Sequence, residues 1–311
     1  MGARRRTALL FEDVGSQYPG MLAALGEGTD VAETLTESAG PLEHVIAHGL
    51  AGLDSERSLA GTVGAQLALL VGGVAAGRAA VAASGPPSAV AGCGVGVFSA
   101  AVVAGVLRLD EAIRMVHLRA RMMARLFPAP DGMAVVYGLS PEHAGDLAGA
   151  VGSVAAPLWL ARVDSPEESV LAGSGDALEL LAERAPAAGA HRVEPLAGAA
   201  PCHGPALRPV AAALTDALLR VPDRRPTVPS VGNVSGDLLS TSTAVRADLA
   251  LGVARTVHWH DAIAVLIASG VETLVPTMPG GRVARLADRY PGVDVARVGE
   301  LPAVAGRPVP G

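Results

Sequence analysis

Lysine is absent from this chain of 311 residues, and every cationic side chain other than histidine is an arginine. Only 17% of the residues are charged, and the formal net charge is −6 at pH 7. A protein that binds nucleic acid needs a basic patch to neutralise the phosphates. The one basic run, residues 4–6, is typical of a solvated terminus. The composition therefore predicts no nucleic-acid partner.

Cysteine and aromatic residues are also scarce. The chain has 2 cysteines, Cys93 and Cys202, and aromatic residues make up 3% of it. So few cysteines exclude a disulfide-rich secreted scaffold and fit a reducing compartment, so we expect a cytoplasmic protein. Hydrophobic residues make up 50% of the chain, which is enough to form a large buried core.

Two apolar segments raise the question of a membrane partner. The first, near the start, ends at Glu12 and Asp13 and is too short for a signal peptide. The second, residues 89–107, is uncharged and about long enough to span a bilayer. It contains Gly92, Gly94 and Gly96, which fit a strand, a tight turn and a buried helix better. The sequence therefore predicts no membrane association.

Strands and helices alternate through the first third of the chain. Residues 7–11 and 88–91 are short apolar runs typical of buried strands, and residues 58–83, 97–107 and 110–127 have helical character. A strand, a glycine turn and a helix in succession favour a parallel sheet. The sequence predicts an α/β fold.

The pattern changes in the middle of the chain. Residues 129–197 contain a predicted β-α-β-β-α-β order, which is that of a ferredoxin-like unit. Segments on both sides resemble the larger α/β domain. We therefore expect a large domain, residues 1–128 and 198–311, with a small inserted subdomain, residues 129–197.

The same three glycines also have chemical implications. Residues 91–96, A-G-C-G-V-G, lie at a strand-to-helix turn where acyl hydrolases and transferases place G-x-S-x-G. We call this segment the elbow. Its central residue is Gly94, which has no side chain to act as a nucleophile.

Five blocks of sequence, the elbow included, carry a resemblance to a known family. They occur in order at residues 11–21 (F-E-D-V-G-S-Q-Y-P-G-M), 65–69 (A-Q-L-A-L), 89–107, 118–121 (L-R-A-R) and 201–203 (P-C-H). Together they resemble the malonyl-CoA:acyl-carrier-protein transacylase family, whose first block is F-P-G-Q-G-S-Q-x-x-G-M and whose last is P-S-H. This resemblance implies that the large domain is α/β-hydrolase-like.

Further strings resemble one branch of that family, the epsilon subunit of malonate decarboxylase. They are residues 53–55 (L-D-S), 66–70 (Q-L-A-L-L), 254–261 (A-R-T-V-H-W-H-D) and 278–281 (M-P-G-G). The H-W-H-D string contains His258 and His260, but it is structural in the resembled subunit, so we predict no metal site.

The resemblance assigns roles to five positions. His203 matches the catalytic base, and Arg119 matches the arginine that pairs with the malonyl carboxylate, for which a guanidinium is well shaped. Gln66 matches a glutamine of the pocket. Val14 and Val95 match the positions whose backbone N–H groups form the oxyanion hole.

The departures from the family pattern lie at the same site. Gly94 stands where the family has its serine, Glu12, Asp13 and Val14 stand where it has Pro-Gly-Gln, and Gly252 stands where an amide side chain is usual. Losing the attacking atom removes acyl-serine transfer. We interpret the acids at positions 12 and 13 as solvated loop charges or as acid–base groups in new chemistry.

Cys93 is a candidate to replace the missing nucleophile, because a Cys–His pair with His203 is chemically workable. The alternative is a packed thiol, since free cysteine is commonly buried. For Cys202, beside the histidine, packing is the expected role.

Three functions are compatible with the sequence. The first is an S-malonyltransferase-like enzyme that acts without the usual serine. The second is a non-catalytic subunit that binds an acyl carrier protein or a multienzyme partner. The third is an enzyme with new chemistry on an acyl or polyketide-like substrate. Each predicts an acyl-CoA or carrier-protein partner, with coenzyme A or phosphopantetheine as the substrate carrier and no resident cofactor.

Overall fold

The structure is a computed structural model, and it describes residues 5–127, 130–196, 199–278 and 281–300. Several expectations lie outside these ranges. They are the domain boundaries at residues 128–129 and 197–198 and the middle of the 278–281 block.

The described residues contain eleven strands and twelve α-helices. The strands are β1 Thr7–Phe11, β2 Ala89–Gly92, β3 Gly132–Tyr137, β4 Leu158–Ser165, β5 Glu168–Gly173, β6 Arg192–Pro195, β7 Ser230–Val231, β8 Leu238–Leu239, β9 Val257–His258, β10 Thr273–Pro276 and β11 Asp294–Val295. The helices are α1 Thr29–Glu43, α2 Gly49–Leu53, α3 Glu56–Leu59, α4 Thr62–Ser84, α5 Gly96–Val103, α6 Leu109–Leu126, α7 Pro141–Val151, α8 Gly175–Arg184, α9 Arg208–Leu218, α10 Ser242–Leu251, α11 Trp259–Ala268 and α12 Arg282–Ala287.

The larger sheet has six strands in the order β11-β10-β1-β2-β7-β8. All neighbouring pairs are parallel except β7 and β8, which are antiparallel. The predicted α/β class is confirmed. Parallel strands are buried on both faces, which explains why β1 after Thr7 and the whole of β2 are apolar. Their carboxyl ends lie side by side, with Phe11 opposite Gly92, so the loops that follow them meet.

Helix α4 packs against α1, α5 and α6, and most of its residues are buried. Two glycines let α4 approach α5 and β1 closely. A Cβ at Gly73 would lie 2.8 Å from the Ser99 hydroxyl in α5, and one at Gly77 would lie 2.9 Å from the Phe11 ring in β1. By length and composition α4 could cross a membrane, but 67% of its most apolar window is buried inside the protein. That is the pattern of a core helix.

Helix α6 is amphipathic and begins with a capping box, in which the Glu111 carboxylate accepts a hydrogen bond from the Arg108 backbone N–H at 2.8 Å. Its apolar face packs on α4 and carries Arg119 inward. The helix therefore introduces one guanidinium into an otherwise apolar region.

The smaller sheet has the order β6-β3-β5-β4-β9. Its first four strands are antiparallel and, with α7 and α8, follow one another in the β-α-β-β-α-β order that the sequence predicts. The fifth strand was not predicted. β9 comes from the chain after residue 198 and pairs parallel to β4, with Val257 opposite Arg162 and His258 opposite Val163.

Candidate functional site

The elbow has the predicted strand–turn–helix form. β2 ends at Gly92 and α5 begins at Gly96, and a Cβ on Gly92 would lie only 2.2 Å from the Gly96 carbonyl carbon. Gly94 has φ of +52°, a left-handed conformation that is costly for residues with a side chain. The geometry therefore requires glycine at position 92 and favours it at position 94.

The Asp13 carboxylate occupies the space beside Gly94. A Cβ on Gly94 would lie 2.1 Å from Asp13 Oδ1 and 2.2 Å from its Cγ, which no real structure permits. Asp13 Oδ1 accepts a hydrogen bond from the Val95 backbone N–H at 3.1 Å, and Arg162 donates to Oδ2 at 2.6 Å. Asp13 is only 3% exposed, so its interpretation as a solvated loop charge is wrong.

Glu12 is also buried, and the same interpretation is wrong for it. Its carboxylate accepts hydrogen bonds from the Val283 and Ala284 backbone N–H groups at 2.9 and 3.1 Å and from the Ser16 hydroxyl at 2.7 Å. Burial raises the pKa of Glu12, and these hydrogen bonds oppose the rise. Glu12 thus attaches the loop after β1 to the start of α12.

Arg162 belongs to a buried charge network that sequence reasoning missed. It donates to both oxygens of Asp164, at 2.6 and 3.2 Å. Arg282 donates to Asp164 at 2.8 Å and also to Glu168. Burial alone would lower the pKa of Arg162, but the charges of Asp164 and Asp13 outweigh it and hold that pKa well above its usual value.

A sequence signal for this network does exist. Arg162 and Asp164 alternate in an otherwise apolar strand, β4, so their side chains share one face. Charged residues on the inward face of a strand are seldom left unpaired. The pattern predicts that Arg162 and Asp164 form a buried ion pair. It does not predict that Asp13 also pairs with Arg162.

His203 lies at the site with its imidazole held in one orientation. Its Nδ1 is 2.6 Å from the Gly252 carbonyl oxygen, which only accepts, so Nδ1 carries the proton and donates. Nε2 is buried and has no hydrogen-bond partner among the described residues. Burial lowers the pKa of His203 to about 4, so the ring is neutral at pH 7 and Nε2 is a free acceptor.

His203 also has φ of +58°, which is uncommon for a residue with a side chain. The following residue, Gly204, lies so close to Trp159 that a Cβ there would meet the indole Nε1 at 1.9 Å. That indole donates to the Cys202 carbonyl oxygen at 3.0 Å. The indole and the glycine together fix the backbone that holds the imidazole.

Arg119 and Gln66, to which the resemblance assigns places in the pocket, contact each other. The Arg119 guanidinium donates to the Gln66 side-chain oxygen, and the Gln66 amide contacts the Met123 sulfur at 3.7 Å. Burial lowers the pKa of Arg119, while the nearby charge of Asp13 opposes this shift. Asp13 therefore lies in the electrostatic environment of the guanidinium.

Both cysteines are buried and unsuited to form a thiolate. Cys93 packs in an apolar cluster with Ala8, Leu10 and Trp259, and burial raises the pKa of its thiol well above the usual value. Burial raises the pKa of Cys202 to about 12, and its sulfur lies 3.4 Å from that of Met133. The environment of Cys93 gives the thiol-nucleophile hypothesis no support.

A cavity of about 590 Å³ opens beside His203. Its walls come from α7, β4 and the segment before α11, with small residues on the helix side. The residues that line it are Gly145, Ala148, Gly149, Leu158, Trp159, Leu160, His203, Gly204, Pro205, Val234, Ala254, Arg255, Thr256 and His258. Asp13, Gly94, Gln66 and Arg119 are not among these lining residues.

Within the described ranges, no group of three or more His, Cys, Asp or Glu side chains could hold a metal ion. His258 and His260 have different neighbours. The first lies 3.5 Å from the Asp261 carboxylate, and the second lies 2.9 Å from the Tyr290 hydroxyl.

Comparison with known proteins identifies the family. Residues 10–281 match the family described as acyl transferase domain. The malonyl CoA-acyl carrier protein transacylase of Escherichia coli O157:H7 is 32% identical over 287 residues, which cover 91% of this chain and 92% of that protein. The transacylase of Bacillus subtilis is 29% identical over 276 residues, 88% of this chain and 87% of the relative.

Two solved structures show how closely the fold is shared. The acyl-carrier-protein S-malonyltransferase of Burkholderia pseudomallei superimposes with a TM-score of 0.86 at 28% identity, over 96% of this chain and 97% of the other. A malonyl-transacylase solved in complex with a type II polyketide acyl-carrier protein superimposes with a TM-score of 0.83 at 29% identity, over 94% of this chain and 95% of the other. This chain belongs to the acyl transferase domain family.

Proposed function

We propose that this protein binds the phosphopantetheine arm of coenzyme A or of an acyl carrier protein and does not carry acyl groups on a serine. The observation that supports this most directly is the Asp13 carboxylate, which fills the place of a side chain on Gly94. Gly94 then stands where the transacylases have their nucleophile, and Asp13 accepts the Val95 N–H that would stabilise an oxyanion.

The cavity beside His203 supports the binding part of the proposal. Its volume of about 590 Å³ lies in the range typical of small-molecule sites. Trp159 and Leu160 give it an apolar wall, and the exposed Arg255 offers a guanidinium at its rim for a phosphate. The relatives are named for malonyl-CoA and acyl carrier protein, and one was solved bound to such a carrier.

Two measurements test the proposal on the purified protein. Calorimetric titration with coenzyme A, and with an acyl carrier protein bearing its phosphopantetheine, is expected to show binding that Arg255→Ala weakens. Intact-mass analysis after incubation with malonyl-CoA is expected to show no adduct. A malonyl adduct on the wild-type chain, or no binding of either carrier, contradicts the proposal.

One observation favours a second candidate, an enzyme with different chemistry on an acyl thioester. His203 Nε2 is buried, neutral and without a partner among the described residues, as a base awaiting a substrate proton would be. Release of free thiol from malonyl-CoA or acetyl-CoA, abolished by His203→Asn, would support it. No release above the buffer rate rules it out.

Finer assignments remain proposals. The strand order β6-β3-β5-β4 supports a ferredoxin-like subdomain inserted into a hydrolase-like domain, with boundaries near residues 129 and 197. Kinship with the malonate decarboxylase epsilon subunit rests on the H-W-H-D and M-P-G-G strings, and co-purification with decarboxylase subunits tests it. We also propose a cytoplasmic location and a multienzyme partner.

A further inference from the structure

We infer that the site selects the free-thiol form of the phosphopantetheine arm and rejects acylated forms, with Asp13 as the residue that determines this specificity. This inference rests on the proposed function, because it assumes that the arm enters the cavity beside His203. The ligand of this protein is therefore the unacylated carrier and not the acylated one.

Space is the first reason. His203 lines the cavity, whereas Gln66 and Arg119 are not part of its lining. Both of these side chains are buried, and they contact each other. The Asp13 carboxylate fills the volume next to Gly94, so an acyl group on the thiol has no room there.

Hydrogen bonding is the second reason. A thioester carbonyl at the elbow needs backbone N–H donors, and the Val95 N–H is already 3.1 Å from Asp13 Oδ1. An acyl oxygen that displaced this carboxylate would also separate it from Arg162, which holds it at 2.6 Å inside the protein. Breaking a buried ion pair in this way is costly.

Charge is the third reason, and it applies to malonyl groups in particular. The buried Asp13 carboxylate lies beside Gly94. A malonyl carboxylate brought to the elbow would therefore meet a second carboxylate, and like charges at short range repel each other. An acetyl group has no carboxylate and is not repelled, but it still lacks space beside Gly94.

The end of the cavity suits a thiol. His203 Nε2 is a buried acceptor, and its other nitrogen is committed to the Gly252 carbonyl oxygen. A thiol is a weak donor that can satisfy Nε2. Because burial holds the pKa of His203 at about 4, the imidazole accepts this hydrogen bond without keeping the proton. The contact thus binds the thiol and does not activate it.

Calorimetric competition among three probes tests the inference: coenzyme A, malonyl-CoA and desulfo-coenzyme A, which lacks the sulfur. We expect coenzyme A to bind about ten- to a hundredfold more tightly than malonyl-CoA, the range that a single misfitting group produces. Desulfo-coenzyme A should bind more weakly than coenzyme A. Equal or tighter binding of malonyl-CoA overturns the inference.

Two variants separate the causes. Asp13→Gly removes both volume and charge and should bring malonyl-CoA and coenzyme A close to equal affinity. Asp13→Asn keeps the volume and removes the charge, so it should improve malonyl-CoA more than acetyl-CoA. If neither variant folds, the comparison of probes on the wild-type chain still decides. If no probe binds at all, the proposed function itself fails, which is a different result from loss of selectivity.

Discussion

The carboxylate of Asp13 occupies the space that a side chain on Gly94 would need, since a Cβ on Gly94 would lie 2.1 Å from Asp13 Oδ1. A side chain is thus present at the elbow, but the loop after β1 supplies it. Any substitution at position 94 must therefore displace Asp13 from both Val95 and Arg162. This relationship governs the first prediction.

A serine introduced at position 94 alone should not become acylated. Gly94→Ser forces the new side chain into the Asp13 carboxylate and places it at φ of +52°, and overpacking of this kind costs about 1–3 kcal/mol. We expect a lower midpoint of chemical denaturation and no adduct by intact mass after incubation with malonyl-CoA.

The matched variant combines Asp13→Gly with Gly94→Ser. It removes the overlap and frees the Val95 N–H, while His203 stays in place as the base. We expect an adduct of the malonyl mass only on the protein that carries both changes, with Asp13→Gly alone as the control. An adduct on the Gly94→Ser single variant would show that Asp13 does not block the position.

The buried charge network should contribute strongly to stability. Asp164 is fully buried and pairs with both Arg162 and Arg282. Asp164→Asn leaves buried guanidinium charge uncompensated and should lower the free energy of unfolding by about 3–5 kcal/mol. Urea denaturation measures the change.

Asp223→Asn is the matched control, since the Asp223 side chain is 76% exposed in its pair with Arg246. An exposed pair contributes little, so the loss should be below about 1 kcal/mol. Similar losses at positions 164 and 223 would mean that the network adds no stability.

His203 should make stability fall in mild acid. Burial holds its pKa at about 4, against a usual value of 6.5, so below pH 6.5 the unfolded chain binds a proton that the folded chain does not. Stability from this group is complete above pH 6.5 and is lost progressively toward pH 4, by about 3 kcal/mol in total. Urea denaturation across this range measures it.

His203→Asn should flatten that profile, because asparagine tolerates the left-handed backbone and does not titrate. His143→Asn, at an exposed position, should leave it unchanged. A wild-type profile that coincides with that of His203→Asn would show that the imidazole is not buried in its neutral form.

Neither thiol should react in the native state. With a pKa of about 12, Cys202 is about a thousandfold less ionised at pH 8 than a thiol with the usual value near 9, and Cys93 is shifted in the same direction. A disulfide reagent should label both residues in denaturant and neither in buffer. Val154→Cys, at a fully exposed position, provides the positive control. Rapid labelling of Cys93 in the native protein would support the hypothesis that Cys93 is a nucleophile.

Local patterns in the sequence were sufficient for the α/β class and for part of the fold. The apolar runs of β1 and β2, the helical periodicity of α4 and α6 and the order of elements from β3 to β6 were predicted within a few residues. They depend on side-chain alternation and periodicity, which neighbours in sequence reveal. β9 was missed because a two-residue strand has no such pattern and depends on its pairing with β4.

The site was predictable only where a motif carries its own geometry. The ordered blocks of sequence placed Gly94 in a strand–turn–helix, which the structure has, whereas the roles given to His203, Arg119 and Gln66 stay predictions. The burial of Glu12 and Asp13 does not follow from these blocks. It depends on partners far along the chain, such as Arg162, 149 positions from Asp13, and Val283, 271 positions from Glu12. An acidic residue in a loop is usually solvated, and only the folded structure reveals a guanidinium or a helix terminus that receives it.

The short pairing of β9 with β4 has a mechanical consequence. Val257 and His258 join the smaller sheet to the chain segment that continues into α11, while Arg162 on β4 reaches back to the loop after β1. A fragment cut near residues 129 and 197 would lose that edge strand and leave Arg162 without Asp13. We therefore expect the two sheets to melt as one cooperative unit, and rocking of one against the other would require breaking backbone pairs as well as side-chain contacts.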